Sequence, residues 1–149
     1  MPYCHLVVAQ PIDTETRRFL ARYLTALIAD LLNKRAEVTA VRIESAAAEQ
    51  WFVAGEAPAA GLTAAHATLY ITAGTNSEAE KAAFIAQLDS HLHDSFGPMP
   101  EAGYIVIQEV AATDWGYAGQ TQAARHLKRN SAPHSHGESP GIPSPGATA

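Results

Sequence analysis

The sequence predicts an α+β fold: two tandem β-α-β units forming a four-stranded sheet with two helices on one face. Two observations predict it. A pattern of short apolar strand, amphipathic helix and second apolar strand occurs twice. The two copies also carry matching landmarks, because Trp51 and Gly55 are answered by Trp115 and Gly119 at an offset of about 64. Phe19 and Phe84 differ by 65, which suggests one small insertion between the copies. A crossover of this length between strands makes them parallel and right-handed.

Taken in order, Tyr3, Leu6, Val7 and Val8 form a short, nearly continuous apolar run, as expected for a strand covered on both faces. Asp13 or Thr14 caps the first helix, and Glu15 complements its dipole. Phe19, Leu20, Leu24, Leu27, Ile28 and Leu31 give that helix a one-sided stripe running to about Asn33. Lys34 and Arg35 suit its C-terminal end. Residues 38–43 read as the second strand, and Trp51, Phe52 and Gly55 mark a loop or hairpin.

Residues 57–66 form an Ala/Gly/Pro linker, so the first unit spans 2–56 and the second 67–128. In the second unit, residues 67–73 are a strand. Ser77-Glu78-Ala79-Glu80 is a capping box, Phe84, Ile85, Leu88, Leu92 and Phe96 form a stripe, and Gly97-Pro98 ends the helix. Tyr104-Ile105-Val106-Ile107 is the fourth strand. Residues 129–149 are rich in Pro, Gly and Ser without periodicity and read as a disordered tail. Helices on one face leave the other uncovered and apolar, so self-association is expected.

Composition narrows the function. A net charge of −5 provides no basic field for nucleic acid or an anionic membrane. No apolar run reaches spanning length, and no signal peptide is visible. The single cysteine, Cys4, excludes an intramolecular disulfide and fits a cytoplasmic location. It shares strand parity with Pro2, and nothing marks it as a nucleophile. His134 and His136 lack the further ligands a metal site requires, so neither metal nor cofactor is expected.

The N-terminus carries the chemistry. Aminopeptidases remove Met1 before a small residue, which leaves a secondary amine on Pro2. An α-amino group titrates at about 7.7–8.0 in water. An apolar pocket or a neighbouring cation lowers that value and makes the neutral amine available as a general base near pH 7.

Met1-Pro2 leading a strand, the β-α-β unit, and the segments VRIESAAAEQWFVAG (41–55) and YIVIQEVAATDWGYAG (104–119) together resemble the tautomerase superfamily, which contains 4-oxalocrotonate tautomerase. The resemblance covers residues 2 to about 125. It implies two short subunits fused into one chain, as in long members such as cis-3-chloroacrylic acid dehalogenase and malonate semialdehyde decarboxylase. It further implies a homotrimer and a tautomerase (MIF-like) fold.

By the same resemblance Pro2 is the catalytic base and Arg42 the strand-borne arginine that binds the substrate carboxylate. The family's other arginine, after the first strand, is replaced by Pro11 or Ile12. Thr75 and Asn76 stand where the dehalogenase and decarboxylase carry arginine, Tyr104 holds the second-half position of Arg42, and Ala67 that of Pro2. Asn76, Tyr104 and Trp115 complete the expected substrate-binding set. The implied function is keto–enol or double-bond isomerisation of a small unsaturated 2-oxo or 2-hydroxy acid. The alternatives are a Pro2-dependent hydratase, dehalogenase or decarboxylase, and a non-catalytic trimeric binding protein.

Overall fold

The computed structural model describes residues 1–131; most of the proline-rich tail expected at 129–149 lies outside the described residues. The elements run β1 (Tyr3–Val8), α1 (Thr14–Leu32), β2 (Ala40–Ser45), β3 (Ala65–Thr72), α2 (Glu78–Phe96) and β4 (Tyr104–Val110), then a short β5 (Gly116–Tyr117), β6 (Gln120–Thr121) and α3 (Gln122–Ser131). The sheet order is β2-β1-β3-β4. Each β-α-β crossover pairs its strands in parallel, β1 with β2 and β3 with β4. The central strands β1 and β3 run antiparallel, so the two units meet head to tail.

Local chemistry fixes the helix ends. Asp13 accepts the Thr16 amide at 2.8 Å, and Asn33 closes α1 in the left-handed conformation (φ 51°). Ser77 and Glu80 form the reciprocal capping box of α2. Thr14 and Glu78 open the helices, Ala40 and Tyr104 open the second strands, and Trp51 and Trp115 lead into the hairpins; each pair is separated by 64 residues. The repeat therefore runs without the insertion expected from Phe19 and Phe84. Phe84 is fully buried and occupies the place of buried Leu20, whereas Phe19 is 56% exposed. In this register His66, not Ala67, is the counterpart of Pro2, and Val106, not Tyr104, is that of Arg42.

The core lies between the sheet and the helices. Cys4, Leu6 and Val8 of β1 and Leu69 and Ile71 of β3 pack against Leu20, Leu24, Ile28, Phe84 and Leu88. Each such side chain contributes about 1.5–3 kcal/mol on burial. Strand alternation sends the other residues to the open face, which is mixed and not apolar as expected. There Tyr3 stacks on Tyr70 at 5.8 Å, Arg42 and Glu44 pair, His5 Nε2 lies 3.2 Å from Glu44, and His66 bonds Thr68. The apolar runs of β1 and β3 concealed this alternation because Tyr and Val read as core residues.

Residues 129–131 belong to α3 and so are helical, unlike the expected tail. The helix was not expected because Leu127 is its only large apolar side chain, and that side chain is 66% exposed. Backbone bonds fix its start instead: Gln122 donates to the Trp115 carbonyl and Ala123 to the Ala112 carbonyl. No helix among the described residues is long and apolar enough to cross a membrane.

Candidate active site

The N-terminal end of β1 opens into a cavity of about 620 Å³, within the usual range for small-molecule sites. Met1 lines it, whereas Pro2, the next residue, is fully buried, and the Pro2 carbonyl accepts the Ala40 amide at 3.2 Å. Met1 projects into the cavity, so its removal would place the Pro2 amine at the same opening.

The cavity walls come from three distant segments: the end of α1 (Asn33, Lys34, Arg35), the β3–α2 turn (Thr72, Thr75), and the second hairpin with α3. Five Lys and Arg residues line it, namely Lys34, Arg35, Arg125, Lys128 and Arg129, and no carboxylate does. Half of the ten Lys and Arg residues in an acidic chain thus converge on one space. Burial first, then Lys34, Arg129 and Arg35, pull the Met1 ammonium below its ordinary value of 8.0. Burial also lowers Lys34, against the opposing pull of Glu80 and Glu109, and its Nζ donates to Thr75 Oγ1 at 2.8 Å.

The hairpin is shaped by its backbone. Ala118 and Gly119 both have positive φ, as a tight two-residue turn requires, and the first hairpin repeats this at Ala54 and Gly55. A Cβ at Gly116 would lie 2.0 Å from the Gln120 carbonyl oxygen, so only glycine lets the two arms approach. The Tyr117 carbonyl then accepts Arg125 Nη2 at 2.8 Å, and the guanidinium lies 3.7 Å from the centre of the Tyr117 ring. At this junction Trp115 Nε1, Gln122 Nε2 and Arg125 Nε are buried without an acceptor, and each such donor costs about 1–3 kcal/mol.

The structure brings only part of the expected site together. Pro2 adjoins Met1, which lines the cavity, but does not itself line it. Asn76 is near it in sequence but is engaged structurally, donating to the Leu32 carbonyl at 3.0 Å and to Glu80 at 3.2 Å. Trp115 belongs to the adjoining hairpin. Arg42 pairs with Glu44 on the open sheet face and stands opposite His5, three positions along β1 from Pro2. Tyr104 is 65% exposed and pairs with His66, which is level with Val7, so it sits at the other end of the sheet. Within one chain neither Arg42 nor Tyr104 lines the cavity. Burial pushes the Cys4 thiol up to about 12, so it is inert at neutral pH.

The residues that sequence reasoning missed are Lys34, Arg35, Arg125, Lys128 and Arg129. Lys34 and Arg35 were read as a dipole complement. Arg125, Lys128 and Arg129 are spaced i, i+3, i+4, one face of a helix, which was a usable signal.

Solved structures share this architecture. A fused 4-OT wild type, an asymmetric trimer, aligns with a TM-score of 0.71 at 23% identity, covering 83% of this chain and 98% of its own. A member of the cis-3-chloroacrylic acid dehalogenase family aligns at 0.69 with 20% identity, over 88% and 92%. A macrophage migration inhibitory factor homologue from Prochlorococcus marinus aligns at 0.67 with 16% identity, over 80% and 97%. The fold is that of the tautomerase superfamily. No protein-family model and no curated protein matches the sequence. Within this fold, Met1 lines a cavity whose cations come from the segment after α1 and from α3.

Proposed function

We propose that the mature chain is a tautomerase in which the Pro2 nitrogen is the general base. One observation carries this reading: half-buried Met1, the residue before Pro2, lines a cavity with five cations and no carboxylate, and its own amine is pulled below its ordinary value by burial and then by Lys34, Arg129 and Arg35. The same burial and cations, acting on the Pro2 amine once Met1 is removed, favour its neutral form, as a base requires. The same cations attract a carboxylate substrate and stabilise the enolate as charge develops. Neutral Pro2 takes a proton from the enol oxygen or an allylic carbon, and the resulting ammonium returns one to another carbon, giving the keto or shifted double-bond isomer. A hydratase using Pro2 as an acid would need the opposite shift. We further propose a cytoplasmic homotrimer assembled through the open sheet face, which would carry Arg42 toward a neighbouring chain.

The test is ketonisation of phenylenolpyruvate and of 2-hydroxymuconate by protein whose loss of Met1 is verified by intact mass. Activity in the wild type that is lost in Pro2→Ala supports the reading. Equal small rates in both support the binding-protein alternative. A related probe is 2-oxo-3-pentynoate, which inactivates the structural neighbour Pt0534. Addition of the Pro2 amine across its triple bond would add the whole reagent mass to the N-terminal peptide. Light scattering at micromolar concentration tests the trimer, and a stable monomer would contradict it.

A further inference from the structure

We propose that the junction of the second hairpin and α3, formed by Trp115, Gln122 and Arg125, is where this cavity binds a substrate carboxylate, with Arg125 as the specificity-determining residue. This rests on the reading of the cavity as the substrate site.

Arg125 Nε, Gln122 Nε2 and Trp115 Nε1 are buried N–H donors without acceptors, and the first two residues line the cavity. The remaining buried polar side-chain atom of this kind among the described residues, His5 Nε2, has the Glu44 carboxylate 3.2 Å away. Arg and Trp have no acceptor capacity, so a ligand group that reaches Arg125 from the cavity must accept hydrogen bonds. A carboxylate offers two oxygens with about four lone-pair sites. Arg125 is already oriented, because the Tyr117 carbonyl holds Nη2 and the Tyr117 ring supports the guanidinium face. A held fork loses little freedom on binding. Arg42, by contrast, is already paired with Glu44.

The experiment titrates crotonate into the ¹⁵N-labelled protein and follows the Trp115 indole and Arg125 Nε–H resonances, with the indole of Trp51 as an internal reference and crotonamide as the uncharged control. Crotonate should shift the first two resonances, spare Trp51, and bind more tightly than crotonamide. Arg125→Ala should weaken crotonate roughly tenfold to a hundredfold, the range for a hydrogen bond to a charged group, and Arg125→Lys should recover part of the loss. Unmoved resonances, equal shifts from crotonamide, or an unchanged Kd in Arg125→Ala would overturn the assignment. If Arg125→Ala disturbs α3, the wild-type shift pattern and the amide control still decide.

The Pro2→Ala protein separates this inference from the catalytic reading. Crotonate binding with the wild-type shift pattern but no ketonisation by any form sinks the chemistry and keeps the carboxylate site. Ketonisation whose KM ignores Arg125→Ala sinks the site and keeps the chemistry.

Discussion

The two ends of the sheet share one backbone plan and differ in charge and covalent state. At one end β1 begins at the chain terminus, beside Lys34, Arg35 and α3. At the other, β3 begins in the middle of the chain, and the neighbouring cavity of about 210 Å³ is lined by Asp89, His93 and Glu101 along with Ala65 and Met99. The first space is cationic and closed by the second hairpin and α3, whereas the second is bordered by α2 and the starts of β3 and β4 and carries two carboxylates. His66 stands in the place of Pro2 but is an internal residue whose nitrogen is an amide. The lesson is that the scaffold occurs twice, whereas the cations converge on one cavity, beside Met1.

Four predictions test that contrast, from the largest expected effect to the smallest. Pro2→Ala, which keeps a free but primary and more mobile amine, should lower kcat/KM by roughly 10²–10⁴, measured on both enols after mass analysis confirms Met1 removal. His66→Ala, at the equivalent position of the other unit, should leave that rate within a small factor; a comparable loss would mean that the second end is also catalytic.

In the core the two units should respond alike. Leu20→Ala should cost about 2–5 kcal/mol and Phe84→Ala about 3–5 kcal/mol, read from the midpoint of urea unfolding at constant m. Both side chains are fully buried at corresponding positions. A loss at only one of them would show that the units do not share one cooperative core.

The capping box of α2 is a smaller effect. Ser77→Ala should destabilise by about 1 kcal/mol, because it leaves the Glu80 amide without its side-chain acceptor. Smallest of all on KM should be Arg42→Ala. Arg42 pairs with Glu44 on the exposed face, and such pairs contribute about 0.2–1 kcal/mol. A large rise in KM instead would place Arg42 of a neighbouring chain in the site and move the carboxylate away from α3.

Much of the scaffold was legible in the residues. Asp13, Ser77 and Glu80 announced helix starts through side chains that satisfy nearby amides, and the stripes read from Phe19 and Phe84 announced the buried faces, although Phe19 and Ile85 are themselves exposed. The site was less legible. The capping and stripe signals are local, whereas Lys34, Thr75 and Arg125 meet only after β1 and β3 pair antiparallel. Arg42 looked like an isolated charge in an apolar strand, but Glu44, two residues on, lies on the same face and neutralises it. Helix α3 lacks an apolar stripe because hydrogen bonds and the Arg125–Tyr117 contact hold it, and periodicity does not register such ties.

The central claim is that the Pro2 amine is neutral and basic at physiological pH. Its sign is inferred from the Met1 terminus, whose ammonium is disfavoured by burial and then by Lys34, Arg129 and Arg35; the same surroundings should lower the Pro2 amine once Met1 is removed, and kcat/KM should then rise with pH through that lowered value. The most direct measurement is an NMR titration of the ¹⁵N-labelled Pro2 amine in protein lacking Met1. The account predicts a pKa below the roughly 7.7–8.0 of a free α-amino group, moving upward in Lys34→Ala. A value at or above that range, unmoved by removing Lys34, would contradict it.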